Sequence, residues 1–277
     1  QRFASAADLE RHRVTIEERE EYEPYVERGL VVYAGVDYQA ILHEAEQEAD
    51  VLIWDGGNND TPFLAPDLHV VVTDPHRAGD ELGYHPGETN VRMADVVIIN
   101  KVDTAPFGSV ERVRSNVRRV NPEARIMEAE SPVQPESPAV LSGRKVLAID
   151  DGPTITHGGM SFGAAVIAAR SAGGEPVDPR PFAAGEIADT FAKYPHIGAV
   201  LPAMGYGARQ VADLQETVRR GVAEGVQAVA VGTPVDLARL IDMPVPSTRV
   251  RYELRLTGTT VRDLLEPVLR LCTKAVS

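Results

Sequence analysis

Short runs rich in β-branched residues alternate along this chain with longer stretches in which apolar positions recur every three or four residues. The short runs have the length of buried strands, and the longer ones carry the period of amphipathic helices. This pattern predicts strands over Val31–Tyr33, Val51–Trp54, His69–Thr73, Val96–Ile99, Arg125–Met127, Lys145–Ile149, Ala199–Leu201, Ala228–Val231 and Thr248–Leu254. It predicts helices over Tyr38–Glu48, where Ile41, Leu42 and Ala45 share a stripe, and over Ser109–Val120, which Asn121–Pro122 stops. Further helices are expected at Phe162–Ser171, Ile187–Lys193, Ala208–Val222 and Leu264–Cys272. Such alternation belongs to the α/β class, a mostly parallel sheet with helices on both faces. The stretch Val133–Ser142, rich in Pro, Ser and Glu, marks a boundary. The expected division is therefore residues 1–140 and residues 141–277, the second a separate α/β domain or subdomain.

Composition narrows the function classes. The hydrophobic fraction of 43% and the charged fraction of 25% are those of an ordinary globular protein. No apolar run approaches the ~20 residues of a membrane helix, and nothing at the start resembles a signal peptide. The expectation is a cytoplasmic protein without a membrane partner. The net charge of −13 argues against a nucleic-acid backbone as partner. It leaves room for a small phosphorylated substrate, whose site needs only a few local cations. The single cysteine, Cys272, excludes a disulfide framework and a cysteine-rich zinc site. Residue 1 is Gln, which reads as a fragment or a processed product.

Three strand ends in the first half deliver polar loops. In open parallel sheets, ligands bind outside the carboxyl ends of the strands, so these loops are expected to share a crevice. VLIWDGGNND has the Walker B arrangement, an apolar strand ending in Asp55, with Asp55 and Asp60 as Mg²⁺ ligands and Asn58 and Asn59 as substrate contacts. VVVTDPHRAGDELGYHPGETN supplies His76, Arg77 and His85, suited to gripping phosphate or moving a proton. VVIINKVDT carries the NKxD pattern of guanine-binding P-loop proteins. In it Asp103 accepts from the base, Asn100 braces the loop and Lys101 packs over the ring, with Ser131 in a second base-contacting loop.

The glycine-rich loop GxxxxGK[ST], which cradles nucleotide phosphates, does not occur in the sequence. In P-loop proteins it precedes Walker B, so the chain reads as an incomplete P-loop NTPase-like domain beginning downstream of that loop. In the second half, DDGPTITHGGMSFGA brings Asp150, Asp151, His157, Gly158 and Gly159 to a strand end, and DPRP adds Arg180. These are candidates for catalysis (His157) and for substrate binding (Gly158, Gly159, Arg180).

Taken together, RFA, EEREEYEP, YAGVDY, WDGGNND, VVTDPHRAGDELGYHPGETN, INKVDTA, DDGPTITHGGM, DPRP and LPAMGYG resemble the cyclic 2,3-diphosphoglycerate synthetase family across essentially the whole chain. The resemblance implies an ATP-dependent closure of 2,3-diphosphoglycerate into a cyclic phosphoanhydride. The layout is also similar to that of tetraacyldisaccharide kinases. Under this reading Asp55, His76, Arg77 and His157 are catalytic, the cofactors are ATP (or GTP) and Mg²⁺, and a homodimer is allowed. The alternative is a GTP-hydrolysing P-loop switch or chaperone-type GTPase. The NKVD run favours guanine, whereas the named activity uses ATP.

Overall fold

The computed structural model describes residues 1–57, 60–156 and 160–275. Along the chain come β1 (Arg2–Phe3), α1 (Ala6–Arg11), α2 (Ile16–Glu27), β2 (Val32–Tyr33), α3 (Tyr38–Ala45), β3 (Val70–Thr73), α4 (Asp80–Gly83), α5 (Gly87–Met93), β4 (Val96–Ile99) and α6 (Ser109–Val120). Then follow β5 (Arg125–Glu130), β6 (Val133–Pro135), β7 (Lys145–Asp151), α7 (Gly152–Thr156), α8 (Ala164–Ser171), β8 (Glu175–Pro176), α9 (Gly185–Lys193) and β9 (Leu201–Ala203). The chain closes with α10 (Ala208–Ala223), β10 (Ala228–Val231), β11 (Ser247–Tyr252), β12 (Arg255–Leu256) and α11 (Val261–Ala275). Helix starts follow local chemistry. Thr15 and Glu18 form a capping box on α2, and the Asp37 carboxylate accepts the Ala40 N–H at 3.0 Å to open α3. The α/β class with mostly parallel sheets is what the alternating pattern predicts.

The chain divides into two compact units, one of residues 1–34 and 133–252 and one of residues 35–132 and 253–277. In the first, the sheet order is β6-β11-β10-β7-β8, with β9 also pairing β7. All pairings are parallel except that of β6 with β11. β7 is the central strand, and Val146, Leu147, Ala148 and Ile149 are wholly buried. A strand covered on both faces reads as a continuous apolar run rather than as an alternation, which is the pattern KVLAI shows. From β7 the chain moves to β8 and β9 on one side and later to β10 and β11 on the other. The carboxyl ends of β7 and β10 therefore flank a topological switch point.

In the second unit the order is β12-β5-β4-β3, with β3, β4 and β5 parallel and β12 antiparallel to β5. Alternate residues of β4 face opposite cores. Val97 and Ile99 join Val91, Ala94, Val113 and Val117 from α5 and α6. Val96 and Ile98 join Met127, Ala129 and Leu264 of α11. Each of the Val, Ile, Leu and Met side chains among them contributes about 1.5–3 kcal/mol on burial. The turn after α6 is fixed by buried Asn121, whose amide nitrogen donates to the carbonyls of Val91 (3.0 Å) and Ala94 (2.8 Å) and whose oxygen accepts the Ala124 N–H.

One predicted strand is absent. Val51–Trp54 forms no strand, and Val51, Leu52 and Ile53 are 47%, 41% and 81% exposed. An apolar run becomes a strand only beside a neighbour that takes its backbone bonds, and among the described residues no strand pairs with this one. No helix among the described residues is long and apolar enough to cross a membrane.

Candidate functional site

The carboxyl ends of β3, β4 and β5 converge in the second unit. β3 ends at Thr73, whose hydroxyl donates to the Ile98 carbonyl at 3.2 Å, and Asp74 follows. One Asp74 oxygen accepts the His76 N–H at 3.0 Å, closing a short 3₁₀ turn over Pro75–Arg77. The other accepts the Lys101 ammonium at 2.9 Å and lies 3.3 Å from the Arg77 guanidinium. Burial by itself would raise the Asp74 pKa. The Lys101 bond and charge, the His76 N–H and Arg77 outweigh it and hold the carboxyl below its usual value.

Lys101 adopts the left-handed conformation, φ +57°, which L side chains rarely take. Two backbone bonds flank it. The Asn100 N–H donates to the Thr73 carbonyl at 3.0 Å, and the Val102 N–H to the Ala129 carbonyl at 3.1 Å. The loop is thereby stitched to β3 on one side and β5 on the other. The turn brings Asp103 to the end of β5, where one carboxylate oxygen accepts the Ser131 N–H at 3.2 Å. Asp103 is otherwise exposed. Arg255 is held above its usual pKa chiefly by its bond to Glu130, with the Asp103 charge adding to the effect. His76 Nε2 lies 3.0 Å from the Thr104 hydroxyl, a third tie between the two loops. The side-chain oxygen of Asn100 is buried without a hydrogen-bond partner among the described residues.

The structure thus brings Asn100, Lys101, Asp103, Ser131, His76 and Arg77 to the carboxyl end of one sheet. Asp74, which binds these loops together, was not read from the sequence as a site residue. Its signal is the strand-ending Asp of VVVTDPH, which reads equally well as turn chemistry. His85 lies farther along, with Nδ1 3.4 Å from the Thr89 hydroxyl. Asp60 accepts the Gly57 N–H at 3.1 Å, while its own carbonyl accepts the Asn90 amide at 2.7 Å. Asp55 is exposed. Among the described residues no group of three His, Cys, Asp or Glu is placed to hold a metal ion. Asn58, Asn59, His157, Gly158 and Gly159 lie outside the described residues. Arg180 belongs to the other unit. There it pairs with Asp178 at 3.0 Å, donates to the Ile197 carbonyl and stacks over the Phe191 ring at 5.0 Å.

The first unit has its own buried carboxylate. Asp150, at the carboxyl end of β7, is 4% exposed, and both its oxygens accept the Ala165 N–H at the start of α8 (3.1 and 3.2 Å). Burial pushes its pKa up to about 6. The N–H groups of Ala165 and Ala164 oppose that rise, and neighbouring Asp151 adds to it. Gly163 and Gly232 press against this carboxylate so closely that a Cβ on either would overlap it.

Comparison with known proteins bears on the second unit first. The family model described as "CobW/HypB/UreG, nucleotide-binding domain" matches residues 42–128, the segment carrying Asp74, Asn100, Lys101 and Asp103. The expected P-loop NTPase-like α/β fold class is therefore upheld. The chain is also 54% identical, over 276 residues and 99% of its length, to "Arginine synthetase ArcE" of Thermococcus kodakarensis. It spans 61% of that relative's length. These findings overturn the resemblance to the cyclic 2,3-diphosphoglycerate synthetases and the diphosphoglycerate-cyclising activity it implied. The motifs that carried it also stand in a chain whose relative bears another name. The alternative, a GTPase-like P-loop domain, is the better supported of the two readings.

Proposed function

We propose that this chain is the base-reading part of a nucleotide-driven enzyme that forms arginine. The observation that carries the first half is the Asp103 loop. Lys101 is pinned in its left-handed turn by Asp74, and Asp103 presents a carboxylate, anchored by the Ser131 N–H, at the end of the sheet. Guanine offers two adjacent donors, N1–H and the exocyclic amine, to such a pair of acceptors. Adenine offers an acceptor at N1 and meets a carboxylate badly, because a desolvated group left unpaired costs about 1–3 kcal/mol. The Asn100 side-chain oxygen, buried without a partner among the described residues, is a further acceptor. The 54% identity to an arginine synthetase supports the second half. Phosphoryl transfer to a ureido oxygen, followed by displacement of phosphate by ammonia, converts a ureido group into a guanidinium, and the nucleotide leaves as its diphosphate.

Equilibrium dialysis with GDP, ADP and xanthosine diphosphate tests the base. The expected result is weak binding with GDP preferred over ADP by about tenfold or more. Asp103→Asn, which swaps one acceptor for a donor, shifts the preference to xanthine. Equal retention of GDP and ADP, unchanged by Asp103→Asn, defeats the base reading. Mass-spectrometric detection of arginine from citrulline, ammonium and GTP, with ATP as the parallel arm, tests the reaction separately. It uses the chain together with the portion of the Thermococcus relative that lies outside the alignment.

A further inference from the structure

In the second unit, β12 covers only part of the outer edge of β5. Arg255 pairs with Glu130 and Leu256 with Ala129. The same antiparallel register sets Thr257 opposite Glu128, whose carbonyl accepts the Thr257 N–H at 2.9 Å and the Thr257 hydroxyl at 3.2 Å. Continued, the ladder would bring Thr259 opposite Ile126. Instead Gly258, at φ +70°, turns the chain away, and the Thr259 hydroxyl donates to Asp263 at 3.3 Å. The Arg125 N–H bonds inward to the Asp95 carbonyl, so alternation turns the N–H and C=O of Ile126 outward, toward the vacated position. A cleft of about 290 Å³ opens there, lined by Arg114 of α6, by Arg125 and Glu128 of β5, and by the Gly258 turn. Arg114 gives Nε to Glu111 and one terminal nitrogen to one oxygen of Glu128. Its other terminal nitrogen and the second Glu128 oxygen have no partner among the described residues. Arg125 donates a single bond, to the Asp263 carbonyl at 3.3 Å.

We propose that this cleft binds a free α-amino acid whose side chain ends in a ureido or carboxamide group. The carboxylate accepts the Ile126 N–H and faces the Arg125 guanidinium, and the ammonium donates to the Ile126 carbonyl. These are the two bonds a residue of an antiparallel ladder makes with its partner. Paired residues share a face of the sheet, and Ile126 packs on the α6 side, so the ligand side chain runs beside Arg114 and Glu128. The remaining Arg114 donor and Glu128 acceptor match a terminal group with C=O and NH₂ side by side. A guanidinium offers Arg114 no acceptor, and a carboxylate offers Glu128 no donor. At roughly 3.3 Å per residue, Ile126 lies about 16 Å along the chain from Ser131, so the cleft is a site separate from the Asp103 loop. The ureido choice rests on the proposed formation of arginine, which consumes such a group, whereas the cleft and its main-chain recognition do not.

The test is calorimetric titration of the chain, without nucleotide, with L-citrulline and with L-glutamine, and amide exchange locates the bound ligand. The expected result is one-to-one binding of at least one of them, with exchange at residues 125–128 slowed by about tenfold or more. L-arginine, L-glutamate and the N-acetyl form of the bound amino acid should each bind about tenfold or more weakly, because each leaves a partner unmatched. Arg125→Gln, at an exposed position, should keep the circular dichroism spectrum and weaken binding by about tenfold or more. Binding of L-glutamine alone upholds the cleft and detaches it from the ureido reaction, which the detection of arginine tests by itself. Failure of both amino acids to bind, binding that leaves residues 125–128 exchanging as before, an N-acetyl form held as tightly, or a folded Arg125→Gln that binds as the parent does would each overturn the proposal.

Discussion

Asp150→Asn separates the charge of the buried carboxylate from its shape. The folded-state pKa of about 6 lies above the ordinary 3.8, so the folded protein holds this proton more tightly than the unfolded chain does. The stabilisation is complete below about pH 4 and disappears as pH rises through 6, at a total cost of about 3 kcal/mol from the difference of roughly two pKa units. Asn carries no charge at either end of that range and can still accept the Ala165 N–H. Every other titrating group is common to the two proteins and cancels in the comparison. The stability of Asp150→Asn relative to the parent should therefore rise by about 2 kcal/mol between roughly pH 4.5 and pH 7.5. The assay is urea unfolding followed by far-ultraviolet circular dichroism at both values. Trp54 fluorescence is recorded in parallel, because that residue reports on the second unit and should not register the difference. Two proteins whose stabilities run parallel across this range would show that Asp150 is not a destabilising buried charge, and would refute the reasoning.

Two other substitutions probe the same physics. Gly232→Ala places a methyl group on the Asp150 carboxylate and should cost about 1–3 kcal/mol in urea unfolding, a cost that shrinks when Asp150→Ala is made alongside it. Asp74→Asn removes the partner of Lys101 and should lower stability by about 1 kcal/mol at neutral pH. Because the folded-state pKa of Asp74 is depressed, that deficit should vanish as pH falls through its carboxylate range, while amide exchange at residues 101–104 should quicken.

Much of this was legible in the sequence because it depends on local spacing. The strand β4 and the NKVD run after it are contiguous, so a four-residue apolar run followed by Asn-Lys-Val-Asp places Asn100, Lys101 and Asp103 at a strand end by itself. The helix α6 and its stop at Asn121 were legible for the same reason, whereas the use Asn121 makes of the Val91 and Ala94 carbonyls was not. Asp74 was missed because its role is defined by Lys101, 27 residues away in sequence. The cover that α11 gives β4 was equally hidden, since Leu264 reaches Val96 and Ile98 from the end of the chain. Asp150 read as half of an acidic pair. That it is buried over the start of α8, while Asp151 is only half-buried, follows from packing and not from composition. Val51–Trp54 shows the converse failure. The run has every local property of a strand and is not one, because a strand is made by its neighbour.

That last point bears on how the proposed nucleotide site is built. The ties that shape the loops proposed to read the base join the ends of β3, β4 and β5: Asn100 to Thr73, Val102 to Ala129, Lys101 to Asp74, His76 to Thr104, and Ser131 to Asp103. None depends on the open side of β3. The Asp55 side of the proposed site is the reverse case, since the run leading to Asp55 has no strand partner among the described residues. Base selectivity and phosphate affinity should therefore separate experimentally in this chain. Preorganised donors and acceptors discriminate between purines even where total affinity is small, because selectivity is a difference between two binding energies and not their sum. A chain that retained nucleotide without distinguishing the bases would mean that these backbone and side-chain ties do not suffice to organise the Asp103 loop.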